Sequence, residues 1–150
     1  MNRQLSAICN FKKVKTINPE ATIKDAVDIM IEHHIGCLVV MKNDNIEGIL
    51  SERDILRTLG NTNVNDEIHQ IPVKDVMTKK EELIVANPKS TLEQLMHIMR
   101  DSNIRHIPIV DKDGILNCIT SIRDVVRLLL EDSKEKVDQL NGYITGKYPA

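Results

Sequence analysis

The chain has 150 residues, a formal net charge of −2 and only three aromatic side chains, none of them tryptophan. This length suits one compact domain with a core of its own. The weak negative charge gives no basic patch for a phosphate backbone, and base stacking needs aromatic rings that the chain almost lacks, so we expect no nucleic-acid partner. The absence of a long apolar run and of a signal-peptide pattern predicts a cytoplasmic protein that does not enter a membrane.

The predicted elements of the first half are an extended segment, a helix, two aliphatic strands and a second helix. The first helix begins at Thr22, where Asp25 three residues later completes a capping-box pattern and apolar positions follow with helical spacing. A polar turn separates the two strands. The elements fall at residues 14–17, from Thr22, 37–41, 46–50 and from Ser51.

The second half repeats this order of elements. Residues 51–59 (SERDILRTL) match residues 121–129 (SIRDVVRLL), and the Ser, both Arg, the Asp and the last Leu are identical. The corresponding elements fall at residues 83–86, from Thr91, 106–110, 115–119 and from Ser121. One such unit would leave an apolar face exposed, so two βαββα units are expected to pack on each other in an α+β fold.

The boundaries predicted from this repeat are a first unit at 1–60, a linker at 61–72, a second unit at 73–131 and a helical extension with a tail at 132–150. Gly142 and Gly146 are predicted to end the extended helix. Its apolar positions are compatible with self-association or partner docking, and its many charges with a solvated tail.

The three cysteines, Cys9, Cys37 and Cys118, are widely spaced and form no C-x-x-C pair. This pattern fits neither a secreted disulfide framework nor a zinc ribbon, so we expect free thiols in the core. Adjacent side chains on a helix diverge. His33 and His34 are therefore interpreted as surface residues, and no metal site is expected.

The repeated Ser-x-Arg-Asp turns carry the main functional signal. Each lies where a strand runs into a helix, and a helix N-terminus with a hydroxyl and an arginine stabilises a phosphate. Asp54 and Asp124 are placed to accept hydrogen bonds from ribose hydroxyls. Ser-x-x-Asp is also a capping box. The recurrence of the arginine favours a ligand, because capping needs none.

The chain resembles a tandem pair of cystathionine-β-synthase (CBS) domains, known as a Bateman module. Residues 48–54 (GILSERD) match the family pattern of Gly, two aliphatics, Ser or Thr, two variable residues and Asp. Residues 118–124 (CITSIRD) match it except that Cys118 replaces the glycine. Residues 105–111 (RHIPIVD) and 73–78 (VKDVMT) resemble a typical strand and opening of the family.

The resemblance implies a non-enzymatic regulatory module, sensing cellular energy, that binds an adenosine compound in two clefts between the repeats. AMP, ADP or ATP is the expected ligand, with S-adenosylmethionine or NAD as alternatives, and no cofactor is required. It also implies a homodimer that acts on an unknown effector protein. One cleft would use Ser121, Arg123, Asp124, Arg105 and Ile119, facing Thr16, Ile17, Ile35, Gly36 and Cys37. The other would use Ser51, Arg53 and Asp54, facing Val85, Ile104 and His106.

The two clefts are not equivalent in sequence. Gly36 occupies the position that matches Arg105, so only the Asp124 cleft has this arginine for a charge-assisted phosphate contact. Tighter binding of a phosphorylated ligand is therefore predicted at Asp124. A ligand-free structural adaptor that dimerises and docks a partner is the alternative. No Gly-rich phosphate loop or nucleophile elbow points to catalysis.

Overall fold

The computed structural model describes residue 9 and residues 13–61 and 67–144. Its strands and α-helices run in the order β1 (Thr16–Ile17), α1 (Ile23–His33), β2 (Cys37–Lys42), β3 (Asn45–Ser51), α2 (Glu52–Asn61), β4 (Thr78–Lys79), α3 (Leu92–Asp101), β5 (His106–Val110), β6 (Leu116–Ser121) and α4 (Ile122–Ile144). Short 3-10 helices lie between α2 and α3, at Ile68–Gln70, Val73–Asp75 and Lys80–Glu82.

The hairpin and the parallel segment beside it pair in the same way in both halves, and β4 is added to β3 in the first sheet. In the first half β1 lies parallel to β2, with Ile17 opposite Val40, and β2 pairs with β3 as an antiparallel hairpin. In the second half β5 and β6 form the hairpin, and Ala86 takes the place of β1 through a parallel bridge to Ile109. Each hairpin has a register shift at the matching point, after Val40 and after Ile109. The predicted α+β fold of two βαββα repeats is confirmed.

The first helix of each repeat begins with the capping box predicted from the sequence. The Thr22 hydroxyl accepts a hydrogen bond from the Asp25 amide at 3.2 Å, and the Thr22 amide donates to the Asp25 carboxylate at 2.9 Å. Thr91 and Gln94 make the same reciprocal pair. Each box satisfies amides that a helix N-terminus leaves without an intrahelical partner, so the two helices start at equivalent points.

Each repeat has its own apolar core, and each core is completed by the opening segment of the other repeat. Val73, at the start of the second repeat, is fully buried among the first-repeat residues around Leu38 and Leu50. In return, Val14 and Cys9 pack against the second-repeat core. Burial of apolar surface is the main source of folding free energy. Exchange of these segments therefore makes the folding of the two repeats interdependent.

The expectation of three free thiols is wrong for two of the cysteines. Cys9 and Cys118 form a disulfide with their Cα atoms 5.2 Å apart, within the usual range, and only Cys37 is a free, buried thiol. Sequence spacing could not reveal this pair, because the packing of the N-terminal segment on the second core brings the two residues together. A cross-link between residues 109 apart stabilises the fold by about 4–5 kcal/mol in the chain-entropy account.

The prediction that Gly142 ends the last helix is also wrong, since α4 continues through it to Ile144. A glycine inside a helix costs about 1 kcal/mol relative to alanine, too little to end a helix of 23 residues. Gly146 lies outside the described residues. Among the residues that the structure describes, no helix is both long enough and apolar enough to cross a membrane.

Gly48 is required where β3 meets β4. A Cβ atom at this position would lie 2.1 Å from the Thr78 carbonyl oxygen, and a contact that short forces the two strands apart. Gly60, in α2, has nothing within 4 Å of the same hypothetical atom. We predict that Gly48→Ala lowers the free energy of unfolding by about 1–3 kcal/mol, the usual range for overpacking.

The control, Gly60→Ala, should leave stability unchanged or raise it by up to about 1 kcal/mol, because alanine is the better helix former. Urea denaturation of both variants checks the pair. Equal effects at the two positions would contradict this account of the β3–β4 contact.

Candidate functional site: two turns between the repeats

The first Ser-x-Arg-Asp turn connects β3 to α2. The Ser51 amide and hydroxyl both donate to one oxygen of the Asp54 carboxylate, at 2.8 and 2.7 Å, and the Asp54 amide returns a bond to the hydroxyl. The second carboxylate oxygen of Asp54 lies 3.4 Å from the Arg57 guanidinium. The turn is therefore a helix cap whose aspartate uses one oxygen for the cap and the other for an exposed arginine.

The second turn, between β6 and α4, has the same geometry. The Ser121 amide and hydroxyl donate to one Asp124 oxygen at 3.1 and 2.6 Å, and the other oxygen lies 3.9 Å from Arg127. Asp54 and Asp124 are 9% and 5% exposed. Carboxylates this deeply buried need hydrogen-bond or ion-pair partners. Each turn supplies them from its own serine and arginine.

Arg57 and Arg127 are contributors to these turns that the sequence reasoning did not assign. Both recur in the repeat, six residues after the serine, and both face the outer oxygen of the aspartate. Their recurrence in the repeat is the sequence feature that could have identified them as part of the turns. Ion pairing with the aspartates accounts for the recurrence of Arg57 and Arg127, whereas the recurrence attributed to a ligand is that of Arg53 and Arg123.

The first turn also contacts the second repeat directly. The Arg53 guanidinium donates to the Asn103 carbonyl oxygen at 3.2 Å, next to Ile104, which was predicted to line the same cleft. Glu52 forms an ion pair with Arg105. Both contacts cross between the repeats, so the Asp54 turn lies at their interface.

Glu52 is a second residue that the sequence reasoning missed. Its amide donates to the Gly36 carbonyl oxygen at 3.0 Å, and its carboxylate covers Gly36 so closely that a Cβ there would be 3.1 Å from it. Arg105 was expected to contact a phosphate, and its guanidinium is held here by Glu52. The matching residue of the second turn is Ile122, which has no charge, so this ion pair has no counterpart in the other half.

Cys37, predicted to line the Asp124 cleft, is buried at the start of β2 opposite Ser51. Burial raises the pKa of its thiol to about 12, and the negative charges of Asp54 and Glu52 add to the effect. The thiol is therefore protonated at neutral pH. It belongs to the apolar packing beneath the first turn.

The remaining predicted ligand residues lie at or just before the starts of β1, β2 and β5 and near the end of β6, except Val85, which lies next to Ala86. Ile17 is buried, Thr16 and Val85 are exposed, and Ile35, Gly36, Ile104, His106 and Ile119 are half-buried. Thr16 and Ile17 pair with Val39 and Val40 of β2. Arg123 is exposed and lines a surface groove of about 570 Å³ along α4, together with Ile122, Val126 and Leu130.

The histidines near Cys37 do not form a metal site with it, because His33 and His34 are exposed whereas Cys37 is buried. Over residues 13–61 and 67–144, no group of three or more His, Cys, Asp or Glu side chains is arranged to hold a metal ion.

The sequence and the fold agree with one family. The profile of the CBS domain matches residues 7–61 and 73–131. The chain therefore belongs to the CBS-domain family and carries two CBS domains in tandem.

Three similar proteins illustrate the range of this family. The chain is 36% identical over 133 residues to the mitochondrial CBS domain-containing protein CBSX3 of Arabidopsis thaliana, covering 85% of this chain and 62% of that protein. A CBS-domain containing protein from Agrobacterium tumefaciens has a similar structure, with a TM-score of 0.74, 32% identity and coverage of 83% and 94%. CBSX2, crystallised with AMP, shares the fold with a TM-score of 0.69, 24% identity and coverage of 81% and 90%.

Proposed function

We propose that this CBS pair is a non-enzymatic regulatory module that binds an adenosine nucleotide between its repeats. The supporting observation is the duplicated turn, in which a buried aspartate caps a helix, together with the contacts that the Asp54 turn makes with the second repeat. The fold is shared with CBSX2, which has been crystallised with AMP. AMP, ADP and ATP are the leading ligands, with S-adenosylmethionine and NAD as further candidates.

Asp54 and Asp124 fit the role of ribose acceptors. In each, one oxygen is used by the cap, and the other faces an arginine that is more than 60% exposed, at 3.4 or 3.9 Å. An exposed ion pair of this kind contributes at most about 1 kcal/mol. Ribose hydroxyls can therefore replace the arginine at the outer oxygen without disturbing the cap.

Phosphate recognition falls to Arg105 and to the serine turns. Arg105 is held near Gly36 by Glu52, within reach of the wall assigned to the Asp124 cleft. A phosphate carries more charge than a carboxylate, so it competes with Glu52 for the guanidinium. We propose that the Asp124 cleft binds phosphorylated ligands more tightly, and that release of Glu52 is part of the binding event.

We further propose that the chain forms a homodimer through α4. Val126, Leu130, Val137 and Leu140 are all exposed and lie on one side of this helix at helical spacing. An exposed apolar stripe of this length favours a protein partner. In a cytoplasmic homodimer, nucleotide binding would bias the state of an effector protein, provided that the ligand binds the two states with different affinities. A ligand-free adaptor that uses the same stripe is the second candidate.

The role of Asp124 is tested with Asp124→Asn, measured by calorimetry with AMP and by thermal unfolding. The substitution replaces the charged carboxylate, the proposed acceptor of hydrogen bonds from the ribose hydroxyls, with a neutral amide. We expect AMP affinity to fall at least about tenfold, or about 1.4 kcal/mol. Weakening the cap should also lower stability by about 1 kcal/mol.

Asp25→Asn is the matched control, because Asp25 closes the same kind of capping box at α1. It should lower stability by a similar amount and leave AMP affinity unchanged. Loss of AMP binding in both variants, or in neither, would contradict the proposed role. If the wild type binds none of AMP, ADP, ATP, NAD and S-adenosylmethionine, the adaptor is the better account.

The competition between Glu52 and phosphate is tested with Glu52→Gln, which frees Arg105 and removes a negative charge near the phosphate of a bound nucleotide. The ion pair is half-exposed, so its loss should raise AMP affinity by up to about fivefold, equivalent to about 1 kcal/mol. Adenosine, which has no phosphate, serves as the control ligand, and its affinity should not change. An equal gain for adenosine, or a loss for AMP, would rule out this competition.

A further inference from the structure

The Cys9–Cys118 disulfide occupies a place that the other half of the molecule fills differently. Gly48 is the first-repeat counterpart of Cys118 and lies against Met77 and Thr78, in the opening segment of the second repeat. Cys9, in the opening segment of the first repeat, lies against Cys118. A close backbone approach in one half therefore corresponds to a covalent bond in the other.

This bond fastens a segment that crosses from one repeat to the other. Cys9 and Val14 pack on the second-repeat core, whereas Thr16 and Ile17, seven and eight residues after Cys9, pair with β2 of the first repeat. Thr16 and Ile17 are the residues proposed to wall the Asp124 cleft. The disulfide thus anchors the chain on the N-terminal side of β1, the strand proposed to form this wall.

We propose that Cys9 and Cys118 are a reversible redox pair that controls nucleotide affinity in the Asp124 cleft. In the oxidised state the segment is tied to the second repeat and the wall is held in place. In the reduced state the covalent tie is absent, and the segment is held by apolar packing on the second core and by the pairing of Thr16 and Ile17 with β2. Control of affinity rests on the proposed function, whereas the redox pair and its effect on the segment do not.

Glutathione disulfide is a suitable oxidant. Cys9 is half-buried and Cys118 is 1% exposed, so the Cys9 thiolate attacks first, forming a mixed disulfide and releasing one glutathione thiol. The Cys118 thiolate then attacks the Cys9 sulfur and releases the second glutathione thiol. The two cysteine thiols lose two electrons and two protons in total, and one glutathione disulfide becomes two thiols.

Cys37 does not compete in this exchange. Its thiol is buried in the first repeat, and its pKa of about 12 leaves almost no thiolate near neutral pH. The Cys9–Cys118 pairing is therefore the specific product expected from this chain.

The experiment equilibrates the full chain in glutathione buffers of different redox ratio, blocks free thiols and maps disulfides by mass spectrometry. Hydrogen exchange then reports on the amides of residues 14–17, and calorimetry reports AMP affinity. We expect a Cys9–Cys118 link that opens reversibly and slower exchange at residues 14–17 when it is closed. AMP binding should be at least about fivefold tighter in the oxidised form, the lower end of typical coupling between sites.

Cys9→Ser should bind AMP like the reduced wild type in every buffer. Cys37→Ala, the matched control, should still form the Cys9–Cys118 link and should still show slower exchange at residues 14–17 when the link is closed. Failure to form the Cys9–Cys118 link, or identical exchange at residues 14–17 in both states, would overturn the redox pair whether or not nucleotide binds. Equal AMP affinity in both states would overturn control of the cleft. Absence of AMP binding in both states, with the exchange difference intact, would instead reject the proposed function and with it that control.

Discussion

The structure depends on the exchange of segments between the two repeats. Val73 completes the first core from the side of the second repeat, and Val14 and Cys9 pack on the second core from the side of the first. A single unit of this size would leave apolar surface exposed, and exchange covers that surface without a third layer. It also extends the first sheet, since the incoming strand β4 pairs with β3.

Within this arrangement the Ser-x-Arg-Asp turns serve the fold, and in the function that we propose they also form the binding site. The cap uses one oxygen of each aspartate, so stability and ligand recognition draw on different atoms of one side chain. Helix capping alone would account for Ser51 and Asp54, but not for contacts that reach into the other repeat. Arg53 and Glu52 make such contacts, and through Glu52 the two clefts become unequal because Ile122 stands at the matching position.

The sequence predicted the features that depend on local periodicity. The capping boxes at Thr22 and Thr91 and the order of strands and helices follow from spacing within a few residues, and the structure confirms them. Contacts between distant segments were not predictable in this way. The Cys9–Cys118 bond and the Glu52–Arg105 pair join residues 109 and 53 apart, and both depend on how the repeats pack. Gly142 does not end the helix because the free-energy cost of one glycine is smaller than the gain from continuing a helix that has already formed.

We propose that nucleotide binds between the repeats and first at the Asp124 turn. Amide chemical shifts followed by NMR during titration with AMP test it most directly. We predict that the amides of Ser121–Asp124 and of Thr16–Ile17 shift together, at lower AMP concentration than those of Ser51–Asp54. Shifts confined to the Ser51–Asp54 turn, or no shift in either turn at saturating AMP, would contradict the claim.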